Sequence, residues 1–161
     1  MNQNLDDLLK VCQPRLLSYF SRMGVSRADI PDLCQEVYLR IIHGWAGFDR
    51  QREFLPWMYT IARNERLRFM NRAARRNEVP ADSPEQQGIQ VDPAQQAEAR
   101  EISSRVRKTV EELPNKHREV LILKHYQNCT FAEISKILNV AESTVKSRLY
   151  KALSLIERRL G

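Results

Sequence analysis

Glycine is scarce in this chain, with 5 residues in 161, and aromatic side chains make up only 7%. Sandwiches and barrels draw on glycine-rich turns and on strand-forming aromatics, so their shortage turns the reading toward helix. No convincing run of alternating apolar and polar residues supports a strand. Cysteine is scarce as well: Cys12, Cys34 and Cys129 are odd in number, far apart and outside any CxxC or Cys/His spacing. That pattern argues against a zinc site and leaves three packing cysteines as the expectation. No apolar stretch approaches the ~20 residues that span a bilayer. The polar, acidic segment Met1–Lys10 does not look like a secretory signal, so a cytoplasmic chain is expected, with no direct membrane insertion.

Charge is plentiful and unevenly placed. The formal net charge is +6, which suits a polyanionic partner. Residues 1–77 hold 13 Lys and Arg against 8 Asp and Glu, and residues 98–161 hold the same numbers. Between them, residues 78–97 hold 4 acids and no Lys or Arg. Pro80, Pro84, Gly88 and Pro93 punctuate that strip, five glutamines fill much of it, and only Val79, Ile89 and Val91 are strongly apolar. It buries too little to fold alone and reads as a flexible linker between two small all-α domains, 1–77 and 98–161.

Helical periodicity fills both blocks. The spacing predicts helices over roughly 5–23, 28–43 and 54–76, with Pro14 kinking or splitting the first and Pro31 and Pro56 tolerable near the starts of the others. Beyond the strip it predicts 95–112, 116–126, a short helix from Thr130 to about Leu138, and a last helix over about 142–160. Thr130 followed by Glu133 is a capping-box pattern, and Asn139-Val140 is a tight turn.

A short capped helix, a brief turn and a longer helix form a helix-turn-helix pattern. At ~100° per residue, Val145, Leu149, Ala152, Leu153 and Ile156 share one face, expected to pack on Ile134, Ile137 and Leu138. The exposed side carries Ser143, Thr144, Lys146, Ser147, Arg148 and Lys151, with Tyr150 and Ser154. Small residues let a helix backbone approach the major groove, while Lys and Arg reach bases and phosphates. A solvated amphipathic helix shows a similar stripe; the capped helix and turn before it favour DNA contact.

Two other surfaces are legible in the first block. On the third helix Asn64, Arg68, Asn71, Arg72 and Arg75 fall in one arc headed by Trp57, which suits phosphate contact with base stacking. A solvated basic helix with Trp57 in the core would look alike. On the second helix Ile30, Leu33, Cys34, Val37 and Ile41 make a core face, while Asp32, Gln35, Glu36, Leu39 and His43 share another arc. An apolar anchor among acids is how protein-docking patches are built, although a lone exposed leucine is ordinary.

Taken together these segments resemble a known family. Asp32–Arg40 (DLCQEVYLR) and Phe54–Asn64 (FLPWMYTIARN) look like region 2 of the extracytoplasmic-function sigma factors of RNA polymerase, within the sigma-70 family. Leu113-Pro114, Arg118-Glu119-Val120, Phe131–Ile134 and Ser143–Leu149 (STVKSRL) look like their region 4. The resemblance implies that Asp32, Gln35, Glu36 and Leu39 dock on the β′ coiled coil of core polymerase. It implies that Asn64 and the loop 45–53 hold a melted minus-ten element with one base flipped out. The helix from Ser143 would read the minus-thirty-five element as duplex. It further implies region 4 contact with the β flap, regulation by an anti-sigma factor, and no cofactor or small-molecule substrate. Arg68 stands where many members carry an acid, and the loop Phe48–Glu53 is richer in charge than usual, which leaves the minus-ten sequence open.

A stand-alone helix-turn-helix regulator would explain the last two helices and the basicity, but not the 32–39 patch or the Arg/Asn stripe. An enzyme would need clustered carboxylates or a nucleophile with its base, and His43, His117 and His125 have no evident partners. An adaptor that meets acidic protein would lack the steep salt dependence of phosphate contact.

Overall fold

The computed structural model describes residues 4–76 and 93–161, with backbone alone for 93–98. Among the described residues there are seven α-helices: α1 (Leu5–Arg22), α2 (Ile30–Gly44), α3 (Phe54–Arg75), α4 (Pro93–Glu111), α5 (Asn115–Leu121), α6 (Phe131–Leu138) and α7 (Glu142–Leu160). A 3₁₀ turn at Trp45–Gly47 follows α2, and a widened π turn at Ile122–Tyr126 follows α5. Among the described residues there is no strand. The acidic strip 78–97 falls mostly on residues 77–92, outside the described part, and its last residues, 93–97, already belong to α4.

Local chemistry sets the helix ends. Asn4 caps α1 by accepting from the Asp6 N–H, and Asp6 and Asp7 sit in its first turn, where acids complement the helix dipole. Its end is closed by bonds from Met23 N–H to the Tyr19 carbonyl and from Val25 N–H to the Phe20 carbonyl. Gly24 at φ +83° makes that left-handed turn, which a Cβ would strain. The expected split at Pro14 does not occur. Pro14 faces solvent, where the Lys10 carbonyl that loses its partner can turn to water. Both bonds of the α6 capping box are made, Glu133 N–H to Thr130 Oγ1 at 3.1 Å and Thr130 N–H to Glu133 Oε2 at 2.6 Å. Asn139 at φ 53° then reverses the chain into α7.

The expected core face of α2 is buried, and so is one face of α1. Cys12, Leu16, Phe20, Val37 and Ile41 are sealed completely, and full burial of each large apolar side chain contributes about 1.5–3 kcal/mol. Cys12, Cys34 and Cys129 are buried and unbridged, and burial pushes their thiols up to about 12, 11 and 12. On α7, Val145, Leu149 and Ala152 face the core and Ile156 is half-buried, but Leu153, expected on that face, is exposed. The helix turns past its neighbours there, and residue 153 falls at the edge of the apolar arc.

α1, α2 and α3 form one half, and α4, α5, α6 and α7 the other. They do not stand apart. α3 lies against α6, α1 lies against the π turn, and the buried apolar side chains of both halves form one continuous cluster.

Candidate functional site

Three solvent-facing surfaces carry the residues singled out from the sequence. On α2, Asp32, Gln35, Glu36, Leu39 and His43 are all exposed, with Ile42 beside them. Leu39 is 43% exposed and Ile42 47%, so the patch has a larger apolar centre than the sequence indicated.

On α3 the stripe of Asn64, Arg68, Asn71, Arg72 and Arg75 is exposed along its length. Arg68 is partly committed: its guanidinium bonds Glu65 Oε1 at 2.8 Å, an oxygen that also meets Arg40 Nε at 3.1 Å. Trp57 is neither wholly core nor open. Its ring stacks on Phe48 at 4.4 Å between centroids, and Phe48 stacks in turn on Trp45 at 5.6 Å. Phe54 packs edge-on against all three, and the Arg50 guanidinium lies 4.9 Å above Trp45. Gly44 backs this stack, because a Cβ there would lie 3.0 Å from the Trp57 ring. The aromatic cluster was not expected as a unit. Its signal was four aromatics within residues 45–57, a stretch otherwise read as a loop and a helix start.

On α7, Ser143, Lys146, Ser147, Lys151 and Tyr150 are exposed, and Thr144 and Arg148 are half-buried. α6 packs against α7, as a helix-turn-helix requires. Phe131 at the start of α6 carries Lys124 Nζ at 4.5 Å and Lys146 Nζ at 5.4 Å over its ring, which gathers positive charge at this end. Beneath α7, His117 has a buried Nδ1 with no hydrogen-bond partner, and burial, joined by the Lys116, Arg148 and Lys151 cations, lowers its pKa against a bond to the Arg148 backbone.

Between the halves lies a polar network that sequence reasoning missed. Glu119 of α5 is 5% exposed, and its Oε1 accepts from Tyr19 at 3.0 Å, Arg63 at 3.0 Å and Arg66 at 3.1 Å. Burial, and then the Glu119 charge, raise the Tyr19 pKa, so the phenol stays a donor. The Arg66 pKa is also raised, because attraction to Tyr19 and Glu119 outweighs the cost of burial. A second bridge runs from Tyr59 Oη to Gln127 Oε1 at 2.6 Å and from Gln127 Nε2 to Ser18 Oγ at 3.1 Å. Arg22 lies 3.6 Å above the Tyr126 ring, and Glu53, just before α3, has its pKa raised by the neighbouring Glu133 carboxyl of α6. Arg63 and Arg66 lie outside the exposed Asn/Arg stripe of α3 and serve the second half of the chain.

Among the described residues no cluster of His, Cys, Asp or Glu could hold a metal ion, and no helix is long and apolar enough to cross a membrane.

Residues 8–76 match the family Sigma-70 region 2, and residues 103–156 match Sigma-70, region 4, so that together they take in most of the chain. The ECF RNA polymerase sigma factor SigW of Bacillus subtilis is 24% identical over 163 residues, covering 96% of this chain and 87% of that one. The ECF RNA polymerase sigma-E factor of Haemophilus influenzae is 26% identical over 145 residues, covering 84% of this chain and 77% of that one. Among solved structures, the fold is similar to the sigma factor RpoE in its complex with the anti-sigma factor NepR from Bartonella quintana. That pair has a TM-score of 0.81 at 20% identity, over 96% of this chain and 95% of the other. CnrH in complex with the cytosolic domain of CnrY gives a TM-score of 0.71 at 20% identity, over 97% and 86%. With both regions matched in order and relatives aligned across nearly the whole length, the chain belongs to the sigma-70 family, in the extracytoplasmic-function group of RNA polymerase sigma factors.

Proposed function

We propose that the chain acts as an alternative sigma factor, docking on core polymerase through α2, engaging a melted minus-ten element through α3 and reading a minus-thirty-five duplex through α7. It performs no chemistry of its own and works in the cytoplasm, where polymerase and DNA are. The observation that carries this reading is the presence, on one chain, of a helix-turn-helix together with the acidic α2 patch and the exposed Arg/Asn stripe of α3. A stand-alone regulator accounts for the first and leaves the other two unexplained.

The division of labour follows from chemistry. Leu39 and Ile42 supply an apolar anchor and Asp32 and Glu36 the charge for a basic partner helix, as in other docking patches. Asn64, Asn71, Arg72 and Arg75 reach phosphates and base edges of a single strand, and the Trp45–Phe48–Trp57 stack beside them presents aromatic faces to an extruded base. Ser143, Thr144, Lys146, Ser147, Arg148 and Lys151 line the face that enters the major groove. The likeness in fold to RpoE, solved in complex with the anti-sigma factor NepR, supports an anti-sigma factor as the regulator.

The test is to add the purified chain to sigma-free core polymerase and map initiation on a genomic promoter library. Discrete start sites preceded by a shared two-part motif are expected. Absence of core binding, with unaided binding to a palindromic duplex, would move the assignment to a stand-alone regulator.

A further inference from the structure

We propose that Arg68, held in place by the buried Glu65 carboxylate, is a specificity-determining residue that reads a guanine of the minus-ten element at its O6 and N7. The proposal rests on the sigma-factor reading and deepens it by naming the base that the α3 stripe selects.

The first support is how Arg68 is held. Its Nη1 donates to Glu65 Oε1 at 2.8 Å, and Glu65 is itself almost wholly buried, so the acceptor is fixed in the body of the fold. The rest of the Arg68 side chain is exposed, within the arc of Asn64, Asn71 and Arg72. A guanidinium is a planar group of N–H donors with no acceptor, and the bond to Glu65 engages Nη1. The parallel Nε–H and Nη2–H pair remains, a fork that matches two adjacent acceptors. Holding the side chain beforehand also removes part of the rotamer entropy that a free arginine loses on binding.

The second support is that bracing α2 against α3 does not need Arg68. Arg40 of α2 meets the same Oε1 at 3.1 Å and supplies the tie between the two helices. Arg68 stands three residues after Glu65 on one helix, so its bond joins no second element. What that bond does fix is the direction of Arg68 itself. Two guanidiniums on one carboxylate oxygen also leave an excess of positive charge at this point of the stripe, which attracts the electron-rich edge of a base.

The third support is the acceptor pattern of the bases. Guanine presents O6 and N7 side by side, whereas adenine sets a donor at N6 beside its N7 and thymine has O4 beside a methyl group. A fork that only donates therefore makes both bonds on guanine and one at most on the others. Cytosine carries two neighbouring acceptors only on its pairing edge, so guanine is the base that fits both before and after melting. An arginine without such a brace takes a phosphate as readily, which adds affinity for every sequence and selects none.

The test uses the full chain with core polymerase, on a promoter found by mapping initiation. Each base of its minus-ten element is replaced in turn, and each guanine also by 7-deazaguanine, which lacks N7. Initiation by the unaltered chain is expected to fall about 10-fold when one particular guanine becomes adenine, and comparably with 7-deazaguanine there. Arg68→Gln and Arg68→Lys should lose that preference and keep those at the other positions. Arg68→Gln should also leave the salt dependence of single-strand binding unchanged, because a base contact releases no counterion. Glu65→Ala should lose the preference too, while its freed arginine makes the salt dependence steeper; a purely structural Glu65 would lower initiation on every template and leave the preference intact. A minus-ten element without a guanine preference, the same base preferences in Arg68→Gln as in the unaltered chain, or a salt slope that Arg68→Gln reduces by about one phosphate contact, overturns the assignment. If the unaltered chain gives no specific initiation with core polymerase, the sigma-factor reading fails instead.

Discussion

Glu65 and Glu119 are both almost wholly buried, and each gathers two arginines on Oε1. Glu65 takes Arg40 from α2 and Arg68 from its own helix, so both partners belong to the same half. Those partners are half in solvent, at 53% and 55% side-chain exposure. Glu119 takes Arg63 and Arg66 from the opposite half, and Arg66 is only 3% exposed. The chemistry is nearly the same and the consequence differs. Glu65 braces α2 against α3 inside one half, whereas Glu119 ties one half to the other. The two pairs differ in where their partners come from and in how little water reaches them.

Breaking the deeper pair should have the larger effect. Glu119→Ala leaves Arg66 and Tyr19 buried without their acceptor, and removing one member of a buried pair costs about 3–5 kcal/mol. The loss falls on the contact between the halves. Urea unfolding followed by far-UV circular dichroism should change from one cooperative transition to two, as the halves unfold independently. A single transition merely shifted to lower urea would mean that Glu119 braces the fold as Glu65 does.

Glu65→Ala should cost less, about 1–3 kcal/mol, because Arg40 and Arg68 can turn to water when their acceptor is lost. The single unfolding midpoint should fall, with the transition still cooperative across both halves. The same change releases Arg68 toward DNA, so single-strand binding should become steeper in salt. Two transitions in Glu65→Ala would erase the distinction between a brace within one half and a tie between the halves.

Most of the architecture was legible because it is local. The bounds of α7 agree with those expected from periodicity, the Thr130–Glu133 cap is made, and the core face of α2 is the one the wheel assigned. The surface stripes were legible for the same reason, since a face of one helix depends only on spacing. The network between the halves was not. Arg66 and Glu119 are separated by 53 residues and Tyr19 and Glu119 by 100. A helical wheel shows which side of α3 a side chain occupies, not what comes to meet it. The aromatic stack was missed for a related reason: Trp45 and Phe48 lie in a turn, where no period announces that they fold back onto Trp57. Pro14 errs the other way, as a rule about helix interiors that an exposed position relaxes.

Arg148→Ala sharpens the comparison from outside both networks. It should lower affinity for the minus-thirty-five duplex by about 1–2 kcal/mol, the lower part of the range for a base contact, as measured by fluorescence anisotropy at fixed salt. Promoter activity should then fall only on templates that depend on the upstream element, whereas Asp32→Ala with Glu36→Ala should lower core binding on every template.

The smallest effect belongs to the carboxyl pair at the edge of the contact between the halves. The hydrogen bond to Glu133, and then the Glu133 charge, raise the pKa of Glu53. Burial alone would raise Glu133, but the bonds from Glu53 and Thr130, with the Lys136 charge, bring it below the ordinary value. A raised carboxyl holds its proton more tightly in the folded chain, so its contribution is present below its ordinary pKa and is lost as pH climbs through the raised one. Glu133 behaves oppositely, losing its contribution as pH falls through the lowered value. The contact is therefore strongest between the two, with Glu53 protonated and donating and Glu133 ionised. Moving from neutral toward mildly acid pH should raise the urea midpoint slightly. Glu53→Gln supplies a donor that needs no proton, and the midpoint should become less sensitive to pH on the neutral side of that window. If Glu53→Gln keeps the full pH response, the titrating group lies elsewhere.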